Sequence, residues 1–282
     1  MSASVRTALM SNLPQLRHEP TAKRIRASVG GRTVVDSTSA LLVWEPRRVV
    51  ASWAVPEKDV SAELLAGAVP TATGDDVGSP MPDVSHRPVL DPSVPFLAHT
   101  TEGTVLDLRA GADQRAGAAF RPDDPDLAGY VLLDFAAFDG WWEEDAPAMG
   151  HPRDPFHRID ILPSSRPLRL ERDGVLLAES EGPTLLFETL LPTRFYLPRE
   201  AVVVDLTPSA TTSICAYKGR ASYFSATVGG REVRDVAWTY EDPLPEAAAV
   251  GGLVAFFDER VDVVLDGDRR PRPVTPWSRG PD

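Results

Sequence analysis

GRTVVDSTSALLVWE (residues 31–45) and GVLLAESEGPTLLFE (residues 174–188) share a Gly, an acidic residue followed by Ser, an apolar run and a closing Glu at identical spacing. With one residue of slippage, WAVPEKDV (53–60) falls on FYLPREAV (195–202), and AAFRPDDP (118–125) falls on VAWTYEDP (236–243). The chain therefore reads as two copies of one unit of roughly 110 to 140 residues, an ordinary domain size. A duplicated chain is its own control. What both copies keep serves the fold, and what one copy alone keeps is the better site candidate.

Both copies carry β punctuation. Short apolar and β-branched runs such as 41–44, 130–133, 185–187 and 222–228 lie between clusters of Gly, Pro and Asp. Gly30-Gly31, Gly229-Gly230 and Asp266-Gly267 offer the positive φ angles of two-residue hairpins, and 27 prolines oppose long helices. This predicts a mainly antiparallel β protein with little helix, any helix being confined to 61–66 or 245–250. The expected boundaries are an N-terminal extension at 1–19, a first β domain at 20–148, a linker at 149–158, a second β domain at 159–272 and a loose Pro-rich tail at 273–282. Residues 70–95 read as a long loop standing where the second copy carries CAYKG (215–219), an element the first copy is expected to have lost.

Composition narrows the functional classes. With 41 acidic residues against 29 basic, for a net charge of −12, the chain lacks the clustered cations that bind phosphate backbones, so no nucleic-acid partner is expected. No apolar run approaches the roughly 20 residues of a membrane span, and MSASVRTALMSNLPQLRHEP lacks the apolar core of a signal peptide. The expectation is a cytoplasmic protein with no membrane partner. A single cysteine gives no internal disulfide and no thiolate zinc site. His151 and His157 lie near Glu143, Glu144 and Asp145, but their six-residue separation matches no standard metal spacing, so ion pairs are expected there and no metal or cofactor. Lysine occurs only at 23, 58 and 218.

Longer strings carry a family resemblance. They are VGGRTVVDSTSALLVWEPRRVVASWAVPEKDV (29–60), WWEEDAPAMGHPRDPFHRID (141–160), ERDGVLLAESEGPTLLFETLLPTRFYLPREAV (171–202), CAYKGRASYF (215–224), AWTYEDPLPE (237–246) and GLVAFFDERVDVVLDG (252–267). Taken together they make the chain, over nearly its whole length, resemble the domain-of-unknown-function 427 family in its tandem form. The resemblance implies two tandem β-tent-like (Mss4-like) domains, each with antiparallel sheets meeting at an angle and a pocket between them. It also brings a nucleotidyltransferase-type label, although the chain has neither a Gly-rich phosphate loop opening a helix nor paired metal-binding aspartates. Ala216 stands where the family usually has Pro, and Ala201 where it usually has Asp, so chemistry needing the latter carboxylate is in doubt.

The candidate site lies in what the second copy keeps alone. In a continuous strand Cys215 and Tyr217 would point one way and Lys218 the other, unless a turn at Gly219 re-aims a side chain. Lys218 could offer a cation to an anionic ligand or an amine nucleophile, or simply pair with Glu188 or Glu241. Cys215 is a nucleophile or, more in keeping with free cysteines, a small core residue. Tyr196, Arg199, Tyr223, Trp238 and Tyr240 stand opposite Ala54, Glu57, Phe96, Phe120 and Pro122 in the first copy. An aromatic pocket with Arg199 and Lys218 at its mouth would suit a small anionic or planar ligand; the alternative is that these rings are core. Glu45 and Glu188, matched in both copies, are assigned structural hydrogen bonds, and Ser37 and Ser180 cap turns. The expected function is small-molecule binding, with catalysis open. A noncatalytic module gripping a peptide or modified side chain is the alternative, and nucleotidyl transfer rests on the label alone. No histidine is evident in the second copy's core to move protons.

Overall fold

The computed structural model of the chain describes residues 2, 4–68, 78–79 and 88–278. Residues 70–77 and 80–87 of the expected long loop, His86 among them, and 279–282 of the tail lie outside the described residues. The chain divides into two compact units, Met1–Asp154 and Pro155–Asp282.

In the first unit α1 (Val5–Met10) precedes β1 (Arg17–Pro20), β2 (Ile25–Val29), β3 (Arg32–Ser37), β4 (Leu41–Trp44), β5 (Ser52–Pro56), β6 (Glu63–Ala66), β7 (Gly103–Ala110), β8 (Asp113–Pro122), β9 (Tyr130–Leu133), β10 (Gly140–Glu143) and β11 (Ala146–Ala148). The second unit contains β12 (Ile159–Pro163), β13 (Leu168–Arg172), β14 (Val175–Ser180), β15 (Thr184–Glu188), β16 (Arg194–Leu197), β17 (Leu206–Cys215), β18 (Gly219–Val228), β19 (Arg231–Thr239), β20 (Val254–Phe256), β21 (Asp262–Leu265) and β22 (Asp268–Arg269). The protein is mainly β, with four antiparallel sheets in two groups.

Among the described residues each unit holds a seven-stranded and a four-stranded sheet. The larger runs β1-β4-β5-β9-β8-β7-β6 in the first unit and β12-β15-β16-β20-β19-β18-β17 in the second; the smaller runs β11-β10-β2-β3 and β22-β21-β13-β14. Strand for strand the two orders coincide, each label rising by eleven. Hairpins are closed by the turn chemistry that the strand twist requires. At Gly30-Gly31 the φ angles are 58° and 71°, and at Gly229-Gly230 they are 56° and 80°.

Each seven-stranded sheet has two different faces because side chains alternate along a strand. In the second unit Leu185, Phe195, Leu197, Phe224, Val254 and Phe256 share the main core with Leu168, Leu170, Leu177, Val263 and Leu265 of the smaller sheet. The alternate residues Leu186, Tyr196, Trp238, Tyr240, Ala255 and Phe257 form a second cluster on the opposite face, joined by Ala247 and Val250 of the 3-10 helix Pro245–Val250. The first unit repeats the plan, but the buried residues of its outer cluster are aliphatic apart from Phe120, with Leu41, Val43, Ala54, Val105, Leu127 and Leu132, while Phe96 and Tyr130 pack against it partly exposed.

Three local expectations change. Residues 63–66 form an edge strand with Leu64 opposite Leu108, not a helix. Six residues are too few to nucleate a helix against an available ladder. Arg17–Pro20, assigned mostly to an extension, pairs with β4 as Arg17 opposite Trp44. The tail is not loose where it is described: Thr275 is 4% exposed, and its hydroxyl donates to Glu259 Oε1 at 2.6 Å.

Candidate functional site

The β17–β18 hairpin delivers the second unit's distinguishing residues. Cys215 pairs with Gly219 across a turn made of Ala216, Tyr217 and Lys218, so the strand ends before Lys218 and alternation does not govern its direction. Gly219 takes φ 96°, a left-handed angle that glycine adopts without strain. Leu244 N–H donates to Lys218 O at 3.1 Å. Of the two cases open in the sequence, a continuous strand or a turn at Gly219, the structure shows the turn.

Lys218 is buried and reaches the carboxylate that ends β15. Its Nζ donates to Glu188 Oε2 at 2.5 Å, while His157 Nε2 meets Glu188 Oε1 at 3.0 Å. The His157 ring stacks on Tyr217 with centroids 4.5 Å apart. Burial pushes the Glu188 carboxyl up, but the hydrogen bond from His157 and the charge and hydrogen bond of Lys218 outweigh it and hold the pKa at about 2. Glu188, assigned a structural role from its match with Glu45, is thus the hub of the unique cluster.

Beside this cluster lies the aromatic face, whose Tyr196, Trp238 and Tyr240 are buried at 1%, 7% and 5% exposure in a cluster with Ala247 and Val250, as the core alternative expected. Trp238 Nε1 donates to Tyr196 Oη at 3.1 Å, and the two rings meet edge to face. Tyr223 shares a 2.8 Å hydrogen bond with Ser213, and Trp238 and Phe257 have centroids 4.5 Å apart. Burial raises the phenols of Tyr196, Tyr223 and Tyr240, so all three remain protonated donors at neutral pH. Glu188 and Cys215 are both near enough to add to the upward shifts of Tyr196 and Tyr240, which places the thiol and the carboxylate in the same neighbourhood as the phenols.

Arg199 does not join them. Its guanidinium donates to Glu241 and lies 5.0 Å over Phe224, a ring of the core between the sheets. In the first unit Glu57, matched with Arg199, accepts from Arg121, whose counterpart by register is Thr239 rather than Glu241, so the two ion pairs are not equivalent.

A second buried polar cluster was not anticipated. Arg194 makes a two-pronged pair with Glu259 at 2.7 and 2.8 Å, and its guanidinium lies 5.6 Å from Trp238 and from Trp277 and 5.9 Å from Phe257. Burial raises the neighbouring Asp258 to about 7 although Arg194 opposes the shift. Sequence gave little warning, since Arg194 and Glu259 are 65 residues apart and become neighbours only because β16 pairs with β20.

The first unit builds its corresponding corner from other residues. Glu45 is buried and accepts from Thr100 N–H at 2.9 Å, with His99 Nδ1 at 3.1 Å and Arg48 Nε at 3.6 Å. Arg48 also donates to the carbonyls of Val94, Pro95, Phe96 and Ala98 and so pins residues 94–98. His99 then stacks on Phe120 at 3.7 Å. Trp238 and Tyr196 both stand opposite Ala255, as Phe120 and Ala54 both stand opposite Leu132, so Phe120 occupies Trp238's place. Register also makes Val105, not Phe96, the counterpart of Tyr223. The first copy has therefore replaced the hairpin element rather than merely lost it: Phe96 and His99, ahead of β7, pack onto the outer face.

Among the other assigned residues, Ser37 donates to Asp59 and accepts from Ser39 N–H, and Ser180 accepts from Gly182 N–H, as turn caps do. His151 contacts Pro152 O. His157 was read as part of a linker. The register that pairs Ile159 with Glu188 carries it there, two residues before β12, and that register was not visible in the sequence. Among the described residues no group of three His, Cys, Asp or Glu side chains is placed to hold a metal ion, and no helix is long and apolar enough to cross a membrane.

Residues 160–267, within the second unit, match a family model described as a domain of unknown function (DUF427). A search of curated proteins finds no match.

Proposed function

We propose that the second unit is a small-molecule-binding module, with its site where the Glu188, Lys218 and His157 cluster meets the aromatic face of Tyr196, Trp238 and Tyr240. The observation that carries this is the contrast at one position of two matching sheets. In the first unit the chain's own His99 stacks on Phe120 and bonds Glu45, whereas the second unit spans that edge with a three-residue turn. On this proposal the first unit is a self-filled scaffold. Lys218 is neutralised by Glu188, which makes a bare anion the weaker candidate ligand and favours a planar molecule with a hydrogen-bond acceptor for the phenols.

Peptide or modified-side-chain capture is the less favoured reading. A cage for an alkylated cation needs open aromatic faces, and Arg194 already lies against Trp238, Phe257 and Trp277. Nucleotidyl transfer has no phosphate-cradling loop to rest on. A tandem pair of β-tent (Mss4-like) domains is supported by the repeated strand order and by the shared core of each sheet pair, and cytoplasmic residence by the single cysteine.

Thermal-shift screening of metabolite pools tests the site with the wild type, Lys218→Met and Tyr240→Phe. A true ligand at a hundred times its dissociation constant contributes about 2.7 kcal/mol, so the wild type should gain several degrees and both variants less. Equal gains in all three proteins, or none in the wild type, would remove the site from this face.

A further inference from the structure

Lysine is the exception in this chain. There are 29 basic residues, yet lysine stands only at 23, 58 and 218. Where a buried cation serves structure, the chain uses arginine: Arg194 with Glu259, and Arg48 with Glu45 and a set of carbonyls. That choice is physically sound, since guanidinium makes several directed hydrogen bonds and never gives up its proton. The first unit also shows that the fold can hold the glutamate of this corner without a lysine. An ammonium in this position has one property that guanidinium lacks, which is that it can become a nucleophilic amine.

The surroundings supply what that change requires. Lys218 is 8% exposed and shares its carboxylate partner with an imidazole whose side chain is 22% exposed. The contact of His157 Nε2 with Glu188 admits either tautomer: with hydrogen on Nε2 the ring donates to the carboxylate, and only after a switch to the Nδ1–H tautomer can a proton leaving Nζ pass through Glu188 to Nε2, moving the charge from a buried atom to one in contact with water. Glu188 itself is a poor resting place for that proton because its two partners keep it ionised. The phenols of Tyr196 and Tyr240 are protonated and buried in the same neighbourhood, the first accepting from Trp238 Nε1.

We propose that Lys218 captures a carbonyl compound, an aldehyde or ketone with a small planar body, as an imine, with Glu188 and His157 moving the proton. This rests on the ligand site proposed above. The freed amine adds to the carbonyl carbon, forming the C–N bond as the C=O π pair moves to oxygen. That oxygen takes the proton held by His157 and a second from the nitrogen, the C–O bond breaks, and water leaves. In sum, one ammonium and one carbonyl give one iminium and one water, with no oxidant or reductant. The positive charge stays on Nζ, so Glu188 is paired before and after the reaction and no buried charge is stranded.

The test is reductive trapping on the full chain, with cyanoborohydride and, separately, pyruvate, acetaldehyde and benzaldehyde, read by peptide mass spectrometry at all three lysines. Lys23 and Lys58 are the internal controls, the former being 45% exposed and paired with Glu143. Lys218 should be labelled at least tenfold more than either control by at least one probe. His157→Gln, which can still hydrogen-bond Glu188, should slow trapping about tenfold without lowering the melting temperature to match, and Lys218→Arg should abolish it while the chain stays folded. Labelling that follows exposure, or no trapping by any probe, overturns the imine. A probe that stabilises the wild type and not Tyr240→Phe in the absence of reductant, yet never traps, overturns the imine alone and leaves the binding site standing; a probe set that does neither counts against both.

Discussion

Arg194→Met should destabilise the second unit by about 3–5 kcal/mol, the usual cost of removing one partner of a buried ion pair. The side chain is 8% exposed and its partner Glu259 is 0% exposed, so solvent cannot take over the lost bonds. The damage extends beyond the pair. Thr275 donates to the same glutamate and Trp277 lies over the guanidinium, so the C-terminal segment loses its anchor as well. Asp258 sets the pH dependence. Its folded pKa, about 7, lies above the ordinary carboxyl value, so it is neutral in the fold below that pH and must ionise while buried above it. Without Arg194 only a backbone hydrogen bond offsets that ionisation, and the deficit should be larger at pH 8 than at pH 5. Denaturant unfolding of both proteins at the two pH values checks this. A loss below 1 kcal/mol would mean the pair is dispensable, and a loss equal at both pH values would mean Asp258 does not titrate as described.

Glu188 works in the opposite direction. Its folded pKa is depressed from 4.5 to about 2, so its contribution is complete above pH 4.5 and disappears as pH falls toward 2. A shift of that size corresponds to about 3 kcal/mol at neutral pH. The wild type should lose roughly this amount in that window, beyond what its exposed carboxylates lose, and Glu188→Gln should flatten the curve while being less stable at pH 7. Glu188→Gln also leaves the Lys218 ammonium buried without a counter-charge, so the variant's neutral-pH deficit should shrink if Lys218 is changed to Met in the same chain. Parallel acid-unfolding curves for wild type and Glu188→Gln would contradict the ion-paired cluster.

The sequence revealed the part of this structure that periodicity and repetition encode. Alternating runs and glycine pairs gave the strands and hairpins, and the mismatch between copies pointed at Lys218 and the rings around it. What it hid depends on registers between distant strands. His157 looked like a linker residue because nothing local says that Ile159 lies opposite Glu188. Arg199 looked like a site residue because it is unique to its copy, whereas its side chain pairs with Glu241 and lies over Phe224, a ring of the core between the sheets. The segment at 61–66 misled for a different reason: Glu, Leu and Ala favour helix locally, and pairing with β7 overrides so short a preference.

Hydrogen–deuterium exchange of the full chain, with and without the best-stabilising molecule from the thermal-shift screen, would test most directly whether the second unit's outer face is the ligand site. Protection should appear in peptides covering residues 157, 186–196, 215–223 and 238–240. The matching peptides of the first unit, 41–54 and 118–133, should exchange unchanged because His99 already fills their face. Protection of the first-unit peptides, or a stabilising ligand that leaves residues 215–223 unprotected, would contradict the assignment.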